Sequence, residues 1–180
     1  MAVDYIAKIK TADTAQLSRM LDDLDDGKPI RGWASGKAFE HIILHGFALE
    51  GADVRWPFEV REGKYAIEQI DGAVYCDGLA CLIESKDYSE AINIEPVAKL
   101  RNQLARRPAG TLGLIFARNG YTPSAKYLVK THMPLNILLW EFDELKSAIA
   151  ARSMRRALQT KFRAAVEKAL PDYNIERGYR

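Results

Sequence analysis

The spacing of apolar positions along the chain changes period several times, and each change marks an element. Leu17, Met20, Leu21 and Leu24 recur at helical spacing behind Asp13, with Gln16 three residues on. That pattern predicts a capping box and a helix running to about Leu24. Gly27-Lys28-Pro29 breaks the chain, and Phe39, Ile42, Ile43, Phe47 and Leu49 trace a second helix over residues 36–50, with Ser35 as its expected cap. Glu40 falls at the border of the core-facing side of that helix. His41 and His45 stand at i and i+4; with no third ligand nearby in sequence, they are expected to be exposed helix histidines. The period then drops to two. Val54, Trp56, Phe58 and Val60 alternate with Arg55, Glu59 and Arg61, which predicts one strand over residues 54–61. Glu62-Gly63-Lys64 would turn it into the next strand, giving a three-stranded antiparallel start.

The central feature of the pattern is Asp77-Gly78 between two runs of β-formers, the signature of a two-residue type I′ hairpin. In that register Cys76 faces Leu79, Asp71 faces Glu84 and Gln69 faces Lys86. Alternation then puts Asp71, Glu84 and Lys86 on one face and Ile70, Val74, Leu79, Cys81 and Ile83 on the other. Glu68 falls on the face away from Asp71. Both faces of the hairpin are apolar over most of their length, as in central strands. Directly opposed carboxylates, with Cβ atoms about 5 Å apart, repel unless a cation lies between them, and hard divalent cations take carboxylate oxygens. Lys86 adds a positive charge that could orient or activate a water or stabilise a charged transition state. The plainer alternative is a cross-strand acid pair neutralised by a lysine at a sheet edge. The cost of charge at the end of a buried hairpin argues for function.

Further on, residues 94–107 read as a helix with Glu95-Pro96 in its first turn. Val97, Leu100 and Leu104 point inward. Lys99, Arg101, Arg106 and Arg107 are outward cations, either a solvated face or a contact for a phosphate backbone. A strand over 111–117, a helix over 124–132 and a strand over 136–142 follow, with Trp140 in the core; this order implies parallel crossover pairing. Residues 144–170 form one long helix or two. Leu145, Ile149, Met154, Leu158, Phe162, Val166 and Leu170 make the apolar stripe, and Arg152, Arg156 and Arg163 lie opposite.

Composition narrows the picture only slightly. A chain of 180 residues, 48% hydrophobic and 28% charged, suits one domain with a substantial core. A net charge of +2 neither demands nor excludes nucleic acid. From Glu144 onward nine Lys/Arg stand against four Asp/Glu. This basic end could contact DNA, pair with the acidic stretch at residues 22–26, or serve solubility. That acidic stretch fails as a calcium loop because Leu24 sits where a ligand is needed. Cys76 and Cys81 are diagonal across the hairpin and read as small buried hydrophobes. No apolar run suggests a membrane span or a signal peptide, so the expected location is cytoplasmic.

Asp71 followed by Glu84-Ser85-Lys86 after a short hairpin resembles the PD-(D/E)xK nuclease superfamily. The surroundings are most similar to its Mrr-like, type IV restriction endonuclease branch. Gly36-Lys37-Ala38-Phe39-Glu40 resembles the helix start that precedes the hairpin there. The strand at 111–116 and Gly120-Tyr121-Thr122-Pro123-Ser124-Ala125 resemble the strand and helix that follow it. Two departures stand out: Ile70 replaces the proline before Asp71, and Gln103 is followed four residues later by Arg107, so the Q-x-x-x-Y of another nuclease branch is absent. The resemblance implies an α/β fold, a restriction-endonuclease-like mixed β-sheet flanked by helices on both faces. It implies a single nuclease domain over 1–180, made of an N-terminal helical segment (1–32), the PD-(D/E)xK core (33–142) and a C-terminal basic helix (143–180). The implied activity is metal-dependent hydrolysis of phosphodiester bonds in DNA, with a role in restriction or defence against foreign DNA. Asp71, Glu84, Glu40 and the Ser85 carbonyl would hold Mg²⁺, for which Mn²⁺ can substitute, and Lys86 would position or activate the attacking water. Lys99, Arg101, Arg106, Arg107, Arg152 and Arg156 are the candidate nucleic-acid contacts. DNA, a second copy of the chain and a targeting protein are the expected partners, with no membrane. The alternatives are a structure-specific nuclease such as a junction resolvase, an RNase on the same fold, or a non-catalytic nucleic-acid-binding or assembly protein.

Overall fold

A computed structural model of the chain describes residues 4–131 and 134–178. Asp77 and Gly78 both take positive φ, 51° and 78°, and close the tight turn between β4 (Gly72–Cys76) and β5 (Leu79–Lys86). The register is the expected one, from Cys76↔Leu79 to Gly72↔Ile83. β6 (Leu112–Ala117) runs parallel to β5, and β7 (Ile137–Glu141) parallel to β6. The crossovers are α4 (Ile94–Leu104) and α5 (Pro123–Thr131). The short β1 (Asp53–Arg55) completes a five-stranded mixed sheet in the order β1-β4-β5-β6-β7.

The strand expected over residues 54–61 is split in two. Pro57 has no N–H to give a ladder and ends β1, after which β2 (Phe58–Glu62) pairs with β3 (Tyr65–Ile70) in a separate two-stranded sheet. Gln69 therefore faces Glu59, not Lys86, and there is no three-stranded start. The chain bends at Asp71, between β3 and β4, and the bend carries Ile70 to the opposite face from Val74. Gly72 is required there, because a Cβ would lie 2.9 Å from the Arg55 carbonyl and closer still to the Leu44 side chain.

Helices cover both faces of the sheet. Leu82, Ile115, Ile137 and Leu139 pack against α4 and α5. Val74, Cys81, Ile83, Leu114, Phe116, Leu138 and Trp140 pack against the other layer. That layer comprises α1 (Tyr5–Ile9), α2 (Thr14–Asp25), α3 (Lys37–Leu49), α6 (Phe142–Ala150) and α7 (Met154–Lys168). Asp13 and Gln16 form the expected capping box of α2. At α3 the N-cap is Gly36 at φ 74°, with no side-chain cap bond, so Ser35 does not serve as its cap.

The C-terminal segment is two helices. Arg152 at φ 50° makes the break, and Lys161, not an apolar residue, occupies the centre of the inner face of α7. Val166, expected on the apolar stripe, is 68% exposed. The chain beyond α7 folds back across the β7 edge, where the Leu139 N–H donates to the Pro171 carbonyl. α5 is described to Thr131, and the expected end of that helix at His132 lies outside the described residues. Among the described residues, no helix is long and apolar enough to cross a membrane.

Candidate active site

The bend at Asp71 creates the site. In the β4–β5 register, Ser85 would pair with Ile70, but β3 has turned away. The Asp71 carboxylate takes the vacated ladder position: its Oδ2 accepts from the Ser85 N–H at 2.7 Å and from the Ser85 hydroxyl at 2.8 Å. In an extended strand the N–H and C=O of one residue point to the same side, so the Ser85 carbonyl is directed toward Asp71 as well. The Lys86 carbonyl turns the other way and accepts from the Arg118 N–H beyond β6. Asp71 is thus fixed beside the strand edge rather than stacked directly over Glu84. Its Oδ1 has no hydrogen-bond partner among the described residues.

Glu84 is fully buried, and both its oxygens are occupied. Lys86 donates to Oε1 at 2.5 Å, and Lys99, reaching in from α4, donates to Oε1 and Oε2 at 3.0 Å each. Burial pulls the Lys86 ammonium down. The charge and hydrogen bond of Glu84 and the charge of Asp71 outweigh that pull and hold its pKa above the ordinary lysine value. Lys86 is therefore a proton donor and a fixed positive charge, not a neutral amine.

The first turn of α3 contributes Glu40, which is buried. Its Oε2 accepts from Lys37 at 2.6 Å, and its Oε1, 3.7 Å from His41 Nδ1, accepts no hydrogen bond among the described residues. Burial raises its pKa to about 6; Asp71 pushes the same way, and Lys37 and Lys86 oppose. Glu40, Asp71, Glu84 and Lys86 are thus brought to one end of the sheet from three separated stretches of chain. Among the described residues, no three Asp, Glu, His or Cys side chains converge into a ready-made cation cage. The donor set still fits a hard divalent cation. It offers a buried carboxylate oxygen without a partner, a second at Asp71, and a carboxylate at Glu84 held by exchangeable ammoniums.

The two histidines of α3 are buried, contrary to expectation. The His41 Nδ1–H donates to the Lys37 carbonyl at 2.9 Å, and the ring packs among Trp56, Trp33 and Tyr5. His45 Nε2 bonds the Ala12 carbonyl at 2.9 Å. Burial lowers the pKa of both rings. His45 pins the N-terminal segment to α3 through the Ala12 carbonyl and His41 through its ring contact with Tyr5, which accounts for both without a metal.

The candidate nucleic-acid contacts are scattered. Lys99 is part of the site. Arg101 is half-buried. Arg106 and Arg107 both grip Glu68, through Nε at 2.5 Å and a guanidinium nitrogen at 2.6 Å. Burial pushes Glu68 up, but its two arginines hold it below the usual glutamate value. Arg152 and Arg156 lie beside Asp77 at the hairpin turn, which is the opposite end of β5 from Lys86. Sequence reasoning treated Lys99 as a surface cation. The signal that could have placed it is Gln103, one helical turn on, which is buried and donates to the Gln69 carbonyl. Arg118 was also missed. It pairs with Asp87, next to Lys86, at 2.6 Å and donates to the Leu24 carbonyl at 2.8 Å.

A five-stranded mixed sheet between two helical layers, with an acid–acid–lysine set at the end of its central hairpin, defines a restriction-endonuclease-like nuclease domain. The family model Mrr_cat, described as Restriction endonuclease, matches residues 33–149, and the chain belongs to that family. No curated protein matches the sequence. Among solved structures, the chain is similar to Can2 from Sulfobacillus thermosulfidooxidans, in complex with cyclic tetra-adenylate. The TM-score is 0.52 and the identity 13%, over 86% of this chain and 54% of that one. It is also similar to the MspJI restriction endonuclease in complex with a 27-mer oligonucleotide, with TM-score 0.48 and 17% identity over 94% of this chain and 40% of that one. At these identities the likeness is one of fold.

Proposed function

We propose that the protein is a divalent-metal-dependent endonuclease that hydrolyses phosphodiester bonds in DNA, in a restriction or defence role. The observation that carries this reading is the meeting of Glu40, Asp71, Glu84 and Lys86 at one end of the sheet, with the Glu40 Oε1 buried and unpartnered. Family membership supports it, since PD-(D/E)xK enzymes generally use divalent metal ions.

Asp71, Glu84, Glu40 and the Ser85 carbonyl are the groups that would hold Mg²⁺ or Mn²⁺. Such an ion, when bound, lowers the pKa of a water and neutralises charge on the phosphate. The remaining work falls to the chain itself. Ser85 fixes the Asp71 carboxylate through two bonds to one oxygen, leaving the other for a ligand. Lys86, held protonated by Glu84, orients the attacking water and donates to a non-bridging phosphate oxygen, where charge grows in the transition state. The reading is tested by cleavage of supercoiled plasmid with and without Mg²⁺ or Mn²⁺. Metal-dependent nicking or linearisation is expected from wild type and not from Glu84→Ala or Lys86→Ala. Equal activity in all three proteins would sink it.

A further inference from the structure

Lys99 reaches the site from α4, and it clasps both Glu84 oxygens at the same distance, 3.0 Å. Its side chain is 47% exposed, against 17% for Lys86 and none for Glu84. With Lys86 also on Oε1, both Glu84 oxygens are engaged by ammoniums, and among the described residues the neighbouring acids form no closed cage. The charges nearly balance as they stand: Glu40, Asp71 and Glu84 against Lys37, Lys86 and Lys99. A dication that takes Glu84 as a ligand brings positive charge against these ammoniums and so competes with a lysine for the carboxylate. Lys86 is the deeper of the two and has the shorter bond. Lys99 sits on a mobile four-carbon stem with a path to water, so it is the group that yields.

We infer that Lys99 is a positioning residue that acts through Glu84. It is an internal counter-ion that holds this carboxylate in place and must release it before a divalent cation binds, so that it sets the cation affinity of the site. The inference rests on the metal-dependent reading above. It makes a prediction opposite to that of a merely structural salt bridge. If Lys99 only propped up Glu84, its loss would loosen the carboxylate and weaken cation binding. If Lys99 competes for Glu84, its loss strengthens binding.

The measurement is Mn²⁺ affinity of the full chain without nucleic acid, by calorimetric titration and by the paramagnetic resonance signal of unbound Mn²⁺, with circular dichroism to confirm folding. Lys99→Gln removes the competing charge and is expected to bind Mn²⁺ about fivefold more tightly than wild type, the scale of a half-exposed charge-assisted pair. Lys99→Arg keeps the charge and is certain to retain a partner for Glu84. Its planar fork clasps a carboxylate in two bonds and lets go less readily, so it should bind Mn²⁺ about two- to threefold more weakly. Both variants moving in these directions supports the inference. If Lys99→Gln folds poorly, the arginine variant alone decides. Affinity unchanged or reduced in Lys99→Gln, or unchanged or raised in Lys99→Arg, overturns the role of Lys99 and leaves the metal site standing. No Mn²⁺ bound by wild type or either variant overturns both together.

Discussion

Glu84 and Glu144 are both buried glutamates gripped by lysine, and they differ in what else reaches them. Glu144 takes Lys161 at 2.5 Å and the Ile175 N–H at 2.9 Å on Oε1, and the Glu141 N–H at 2.8 Å on Oε2. Lys161 in turn donates to the Tyr173 carbonyl and lies 5.2 Å above the Trp140 ring. Neither partner touches solvent appreciably. Burial raises the Glu144 pKa and lowers that of Lys161, and the attraction between the two opposes both shifts. These bonds hold α6, α7 and the C-terminal turns together. Glu84 accepts as many bonds, all of them from lysine ammoniums. Its two lysines reach toward water, and an unpartnered Glu40 oxygen and Asp71 Oδ1 stand nearby. A buried ion pair alone says little about function. Solvent access and an unsatisfied neighbour separate a working site from a lock.

That contrast breaks most sharply at the two lysines. Lys86→Ala should lower plasmid cleavage by about 10²–10³-fold, the range for loss of one donor to a transition-state charge. Its melting temperature should stay near that of wild type, because Lys99 remains on Glu84. Lys161→Met should do the reverse. It strands Glu144 in the core, and chemical denaturation should show a loss of about 3–5 kcal/mol. Cleavage per folded molecule should be unchanged. Adding Glu144→Gln to Lys161→Met sharpens the result. The amide oxygen still accepts from one of the two backbone N–H groups without a buried charge, so part of the lost stability should return. Cleavage-deficient but fully stable Lys161→Met would mean that the two regions are not separate.

A smaller effect distinguishes Glu40 from either glutamate. The fold favours its protonated form, with the pKa at about 6 against an ordinary 4.5. Its contribution to stability is therefore fully present below pH 4.5 and is lost as pH rises through about 6. The loss is roughly 2 kcal/mol, read as a fall in denaturation midpoint over that window. Glu40→Gln should flatten it. A divalent cation needs the ionised carboxylate, so Mn²⁺ should bind more tightly over the same window in which the protein alone becomes less stable. A wild-type stability curve with no step near pH 6 would place the Glu40 carboxyl in a more solvated setting.

Much of this was legible in the sequence, and the failures have identifiable causes. The Asp77-Gly78 turn fixed the register of β4 and β5 because both residues tolerate the positive φ that a two-residue type I′ loop requires. Parallel β6 and β7 followed from compact apolar runs separated by helices. Pro57 was a visible warning that residues 54–61 could not be one ladder strand, yet the alternation of Val54, Trp56, Phe58 and Val60 masked it. The bend at Asp71 was not legible at all, since it depends on β3 finding β2 as its partner. The α3 histidines were misplaced, and the burial of Lys161 went unforeseen, because folding supplies their surroundings. A polar side chain on an apolar face is buried when carbonyls or carboxylates complete its bonds; for His45 and Lys161 those partners lie outside any local window, and over His41 the rings of Tyr5, Trp33 and Trp56 close on a bond made within its own helix.

The smallest expected effect concerns the basic end of the chain. Arg152 and Arg156 flank the Asp77 turn, where Arg155 already pairs with Asp77. β5 spans eight residues from Leu79 to Lys86, so at about 3.3 Å per residue these arginines lie roughly 25 Å from the candidate site. A backbone phosphate held at Lys86 cannot also touch them unless the DNA follows the side of the sheet. Arg152→Ala with Arg156→Ala should therefore change cleavage by less than about twofold. The slope of log affinity against log salt should also be unchanged, since each lost phosphate contact would reduce it by about one. Arg118→Ala, which removes a cation paired with Asp87, the residue next to Lys86, should lower both. If the order were reversed, with the α7 arginines setting the salt slope and Arg118 inert, the nucleic acid would approach along the turn end of the hairpin. The cluster around Glu84 would then have to be read as a second closed ion pair, of the same kind as Glu144 with Lys161.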